Sequence, residues 1–256
     1  MDPRYSLTGL LVGFLVGLTG MGGGSLMTPL LILILGVKPT VAVGSDLAYA
    51  AVTKCVGGFQ HHRLGTVDYG LAGKLALGSV PGSLLGVWCV HHLQHLLGDR
   101  VQHLIQQLLG IMLILISLVL LVKSNPRAEK LHLKIPLTNS KQQLIWAILS
   151  GLLLGFLVGV TSVGSGTLFG VLMLVVFGMG TREMVGTDVV HAALLTSAAA
   201  AGHLLAGNVD YPLAGNLLIG SIPGVLLGSR LSAKLPEKAL RPVLAVVLLL
   251  SGLKMI

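Results

Sequence analysis

Charge is what this sequence has least of. Of its 256 residues only 10% are Asp, Glu, Lys or Arg, against roughly 25% in a soluble domain. Such a chain cannot cover a folded surface in water, which excludes an ordinary soluble enzyme or binding module. Acidic groups are scarcest, nine against 17 Lys and Arg, for a formal net charge of +8. That excess alone would suit nucleic acid. Aromatic residues, however, make up only 4%, and the basic residues lie mostly between apolar runs, as orientation signals do. A basic patch interleaved with aromatics is missing, so no nucleic-acid partner is expected. The two cysteines, Cys55 and Cys89, lie in apolar segments without metal spacing, which excludes a disulfide framework. No metal and no other cofactor is expected. Regular apolar/polar alternation is also missing, which argues against an outer-membrane barrel.

What is present is apolar: 54% hydrophobic residues and a mean hydropathy of +0.89. The long runs predict an all-α, polytopic helical membrane protein with the lipid bilayer as its surroundings. The first run, at the N-terminus, has no convincing small-residue cleavage site and reads as mature protein rather than a signal peptide.

Two glycine-rich breaks organise the chain. Thr19-Gly20-Met21-Gly22-Gly23-Gly24-Ser25 interrupts the apolar stretch from about 7 to 35. Thr161-Ser162-Val163-Gly164-Ser165-Gly166-Thr167 interrupts the one from about 144 to 177. Irregular backbone inside a membrane survives only where protein buries it or where it lines a polar cavity. Matched breaks of this kind point to a transporter's binding site.

The breaks belong to a repeat. Residues 9–89 align with 151–231 at a constant offset of 142, without a gap. Gly44-Ser45-Asp46 matches Gly186-Thr187-Asp188, His61 matches His203, and Val67-Asp68-Tyr69 matches Val209-Asp210-Tyr211. Chance likeness between apolar runs would not keep Asp, His and Asp-Tyr in one register. The expected division is a first repeat at 1–122, a linker at 123–141 and a second repeat at 142–256. Each repeat would have a broken segment, at about 6–36 and 142–178, followed by three helices. Those helices are expected at about 40–62, 69–92 and 101–123, then 183–205, 210–234 and 237–256.

The two pieces flanking the first break are each about 11–13 residues, or 16–20 Å of helix, too short to cross about 30 Å of hydrocarbon. The segment is either one broken crossing or a re-entrant hairpin, and the charges favour the hairpin. The linker is the most basic loop and should be cytoplasmic, as should the loop around Arg230, Lys234, Lys238 and Arg241. An even number of crossings must separate them. A hairpin plus two helices is even and makes the two halves inverted. Lys38 and Arg182 would then lie outside, against the trend.

Gly78, Gly82 and Gly86, matched by Gly220, Gly224 and Gly228, recur every four residues on one helix face, where small residues allow close contact. Asp68 and Asp210 read as helix N-caps. His91, His92, His95 and His103 read as a solvated helix end rather than a metal patch.

Five ionisable residues fall within apolar helices: Asp46, Lys54, Asp188, His191 and His203. Each is costly there, by about 2.5–3.5 kcal/mol for a charge at a helix centre, and so is a functional candidate. The bland readings are a helix start around Asp46, an interfacial place for His61 and His203, and a structural ion pair of Lys54 with Asp188 or Asp46. The breaks add free N–H groups and helix N-termini, a ready anion site. Candidate substrate-binding residues are therefore Thr19, Gly22, Gly23, Gly24, Ser25, Lys54, Thr161, Gly164, Ser165, Gly166 and Thr167. Asp46, Asp188 and His191 form a candidate coupling and polar core. Alternatives are a cation or metal-ion transporter with Asp46 and Asp188 as oxygen ligands, and an intramembrane enzyme using Asp188 and His191.

At the residues Gly17-Leu18-Thr19-Gly20-Met21-Gly22-Gly23-Gly24, Gly44-Ser45-Asp46 and Gly65-Thr66-Val67-Asp68-Tyr69, and at their second-half copies, the chain resembles the TauE/SafE family. This is the group of sulfite and sulfonate exporters and toluene sulfonate uptake permeases. The resemblance covers nearly the whole chain. It implies secondary transport of a small sulfur-containing anion, such as sulfite, thiosulfate or an organosulfonate, across a bacterial inner membrane.

Overall fold

In a computed structural model of the chain, residues 3–19, 24–124, 139–232 and 237–256 are described, and every regular element among them is helical. Gly22, Gly23 and most of the linker, residues 125–138, lie outside the described residues, as does the side chain of Thr19. In order, the helices are α1 (Pro3–Thr19), α2 (Gly24–Leu33), α3 (Pro39–Arg63), α4 (Tyr69–Leu97), α5 (Arg100–Ser124), α6 (Ser140–Thr161), α7 (Thr167–Val175), α8 (Thr181–Leu205), α9 (Tyr211–Ser232) and α10 (Glu237–Met255). Both glycine runs end one helix and start another, as their cost within a helix demands.

The helices containing Asp46 and preceding the second break begin within two residues of the expected positions, but two details differ. The pieces flanking each break are unequal: α1 has 17 residues and α2 ten, α6 has 22 and α7 nine. The Asn139 side chain accepts the Lys141 N–H at 3.1 Å and starts α6 before the apolar stretch begins. At about 33 Å, α6 is long enough to cross the hydrocarbon core. Asp46 is not at a helix start either. Lys38-Pro39 opens α3, so Asp46 lies two turns inside it and is fully buried.

Five helices, α4, α5, α6, α8 and α9, are long and apolar enough to span a membrane, and α1 and α10 carry shorter apolar stretches. Large apolar side chains cover the outside, Val56, Leu77, Leu153 and Leu250 among them. In water this would be a defect; in lipid it is the required surface.

Glycines set how the helices pair. A Cβ built on Gly78, Gly82 or Gly86 of α4 would lie 2.1, 2.3 or 2.5 Å from the carbonyl oxygen of Ile148, Leu152 or Phe156 on α6. Gly155 and Gly159 of α6 meet Ser79 and Ser83 of α4 in the same way. Residue numbers rise together, so α4 and α6 run parallel. The α1–α9 contact repeats this: Gly220 and Gly224 lie against Ser6 and Leu10, and Gly9 and Gly13 against Leu217 and Ser221. By contrast α3 and α8 are antiparallel, with Gly58 beside Val190 and the Cys55 Sγ 3.9 Å from Ser197 Oγ. The α5–α10 pair is antiparallel too, Gly110 meeting Gly252 and Ile256 while Gly252 meets Ile114. No backbone approaches this closely unless the Cβ is missing.

Hydroxyls lock the turns between these pairs. Asp68 N donates to Thr187 Oγ1 at 2.8 Å, and Asp210 N to Ser45 Oγ at 3.0 Å. Each Asp also caps its helix, accepting from Leu71 N and Leu213 N at 2.9 Å.

Candidate functional site

Helix α3 carries two ionisable groups toward α2 and the second break. Asp46 is fully buried. Its Oδ2 accepts two hydroxyl hydrogen bonds, from Thr28 Oγ1 of α2 at 2.6 Å and Ser162 Oγ of the second break at 2.7 Å. One carboxylate oxygen thus ties three separate elements together. Ser162 caps α6 in the left-handed region, at φ 62°, where residues other than glycine are uncommon. The residue 142 positions earlier is Gly20. The bond to Asp46 supplies a reason for a serine at this strained place.

The hydroxyl pair makes a testable unit. Hydrogen bonds to a charged group contribute about 1.5–3 kcal/mol each. The Thr28→Val/Ser162→Ala double variant should therefore melt well below wild type in detergent, with neither single variant accounting for the whole loss. A double variant with unchanged melting temperature would show that Asp46 is held by something else.

Two turns on, Lys54 is half-buried, and its Nζ donates to Ser165 Oγ at 2.6 Å. The expected ion pair with Asp188 or Asp46 is not made. The ammonium meets a hydroxyl of the second break instead, within electrostatic reach of Asp188 and then Asp46. Its side chain thereby stands beside the N-terminus of α7. That terminus has Gly166 at the N-cap position and no side-chain cap, and Leu168 N donates to Gly164 O at 3.1 Å. Thr167 Oγ1, at the first position of α7, is buried without a hydrogen-bond partner among the described residues. Gly164, at φ 105°, makes the sharp turn that only glycine takes freely.

The other candidates divide. Ser25 is buried at the start of α2, directly after Gly24. Thr161 is turned to its own backbone, donating to Leu157 O at 2.7 Å and accepting from Val163 N at 3.2 Å. On α8, Asp188 and His191 are both buried. His191 Nε2 meets Ser79 Oγ of α4 at 2.8 Å, and its ring packs on Phe169 with centroids 4.4 Å apart. Asp188 Oδ1 and His191 Nδ1 have no hydrogen-bond partner among the described residues. His203, expected near the interface, is instead fully buried, with Nε2 2.9 Å from Gly159 O. Helix α6 runs alongside the end of α8 and supplies that acceptor. His61 is half-buried against Thr66 Oγ1, at 2.9 Å.

Sequence reasoning missed Thr28, Ser162 and Ser79, whose hydroxyls meet Asp46 and His191. Among the described residues no group of three or more His, Cys, Asp and Glu is placed to hold a metal ion. His91 and His95 meet through their Nε2 atoms at 3.3 Å on the exposed end of α4, where Trp88 stacks on His92.

The chain matches the family described as Sulfite exporter TauE/SafE over residues 5–255. It is 43% identical to the Probable membrane transporter protein YjnA of Bacillus subtilis (strain 168), with all of both chains covered. It is 28% identical to the Probable membrane transporter protein YunE of the same organism, covering 97% of this chain and 94% of the relative. No solved structure matches. Together with the apolar helices, these relationships support an integral membrane transporter rather than an enzyme. With the family match spanning both glycine breaks and all ten helices, the chain belongs to the TauE/SafE family.

Proposed function

We propose that the protein is a secondary transporter of a small sulfur-containing anion, such as sulfite, thiosulfate or an organosulfonate, in a bacterial inner membrane. The observation that carries the reading is the Lys54–Ser165 hydrogen bond beside the uncapped N-terminus of α7. A cation, the positive end of a helix and the unpartnered Thr167 hydroxyl meet there. All three favour an oxyanion, and none favours a metal cation. Gly164 and Gly166 flank Ser165 in the second break, and Ser25 is buried at the start of α2. Asp46, Asp188 and His191 form the polar core beside this site, and the proton gradient or the membrane potential drives transport.

The packing directions support two inverted halves, 1–122 and 142–256, each with a re-entrant first segment. Helix α1 is parallel to α9, and a chain that crosses with α8 must return with α9. Because α3 is antiparallel to α8, α1 and α3 run the same way, and α2 between them must run back. On this reading the crossings are α3, α4 and α5, then α8, α9 and α10, while α6, although 22 residues long, turns back through α7, and the linker 123–141 is in the cytoplasm. An impermeant thiol reagent applied to intact cells should fail to label a cysteine placed at Arg127; labelling would reverse the orientation.

Function is tested by counterflow in proteoliposomes. Preloaded unlabelled sulfite or thiosulfate should drive uptake of the labelled anion, and divalent metal ions should not be carried. Metal uptake without anion exchange would favour the alternative, in which Asp46 and Asp188 are oxygen ligands of a transported cation.

A further inference from the structure

The two carboxylates related by the 142-residue offset have different surroundings. Asp46 Oδ2 is held by Thr28 and Ser162. The corresponding positions around Asp188 are Gly170 and Gly20, neither of which has a hydroxyl to give. Other matched groups are retained. The serine is one: Ser79, which meets His191 Nε2, corresponds to Ser221, and His191 itself corresponds to Tyr49. The surroundings of Asp188 thus offer a titratable imidazole at the position of a tyrosine and lack the two hydroxyl donors at the matching positions.

Asp188 and His191 are one turn apart on α8, hence on one face. Each has a buried polar atom, Oδ1 and Nδ1, without a partner among the described residues, as Asp46 has in its Oδ1, but Asp46 alone has two hydroxyls on its other oxygen. Leaving such atoms unpaired in a dry interior is costly, and a proton bound at either group would relieve that cost there.

We propose that Asp188 and His191 form the proton-binding site that couples transport, whereas Asp46 is a structural pin that ties α2 and the second break to α3. This assignment rests on the anion-transport reading above. The neighbours of the site fit the task. From α3 the charged group facing it is Lys54, with Asp46 beyond. From α4 it is faced by the neutral Ser79, and from α7 by the apolar Phe169. A single cation therefore links the proton site to the anion site. An anion arriving at Lys54 screens the ammonium from Asp188 and favours a proton on Asp188 or His191. The anion and the proton would then move together, which requires no reaction partner beyond the proton itself.

The tests use the full-length protein. In weakly buffered detergent solution with a pH dye, adding sulfite to wild type should cause uptake of about one proton per anion bound. Asp188→Asn should bind sulfite with little or no proton uptake. In proteoliposomes it should keep sulfite counterflow but lose accumulation driven by an imposed pH gradient. His191→Gln should weaken that accumulation. Asp46→Asn should lower the melting temperature and leave the protons taken up per bound anion unchanged. Asp188→Asn protein that still accumulates sulfite against its gradient would overturn the proposal, as would wild type that binds sulfite without proton uptake. Wild type that binds neither sulfite nor thiosulfate would instead overturn the transport reading on which it rests.

Discussion

Lys54→Met should abolish measurable anion binding while leaving a folded, membrane-inserted protein. The methionine keeps most of the apolar stem and deletes only the charge. In the wild type the ammonium donates to Ser165 and is not ion-paired, so its loss strands no directly bonded carboxylate. What disappears is a charge-assisted hydrogen bond to the ligand, of about 1.5–3 kcal/mol, together with its long-range attraction. At 1.4 kcal/mol per decade, that bond alone implies about a 10- to 100-fold rise in Kd. Isothermal titration of purified protein with sulfite and with thiosulfate measures it. Thermal unfolding without ligand should change little, while the rise in melting temperature on adding the anion should vanish. Unchanged affinity in Lys54→Met would make the lysine a structural residue. Ser165→Ala should have a milder effect, because the lysine keeps its charge and loses only its tether.

The residues easiest to find from sequence were those whose cost in lipid is highest. Asp46, Lys54, Asp188 and His191 stood out because an ionisable group in an apolar helix requires a reason. The breaks stood out because glycine runs are poor helix formers. The glycine face of α4 was legible for the same kind of reason, since spacing by four has a direct geometric meaning. Thr28 and Ser162 carried no such signal. Hydroxyls are cheap in membrane helices because they can bond back to their own backbone, as Thr53, Ser83, Ser117 and Thr196 do here. A hydroxyl that reaches another element looks the same in the sequence. One clue was available: both stand where the offset copy has glycine, Gly170 for Thr28 and Gly20 for Ser162. Difference between the halves, not likeness, marks the specialised residues. The start of α6 was legible to within two residues, at about 142 against Ser140, and the polar cap at Asn139 makes the difference. The burial of His203 depended on a carbonyl from α6, a partner 44 residues away that no local pattern foretells.

Replacing Gly82 by valine should prevent the protein from folding at all. A Cβ at Gly82 would sit 2.3 Å from Leu152 O and 3.0 Å from both Leu152 C and Cα, and these are backbone atoms. Overpacking a core usually costs about 1–3 kcal/mol because side chains can move aside. Here nothing can yield short of separating α4 from α6. The contact is made from both sides, since Gly155 of α6 would place its own Cβ 2.3 Å from Ser79 O. Separation would spread along the whole parallel pair, through Gly78, Gly86, Gly151 and Gly159. It would also draw Ser79 away from His191, and α6 with its terminal Ser162 away from Asp46. A fluorescent fusion analysed by size-exclusion chromatography should show wild type as one symmetric peak and Gly82→Val as aggregate or as nothing. Gly73→Ala, on the same helix with nothing within 4 Å of the added Cβ, should be indistinguishable from wild type. A symmetric peak and normal counterflow from Gly82→Val would mean that α4 and α6 are not in backbone contact, and the arrangement of the breaks around Asp46 and Lys54 would have to be redrawn.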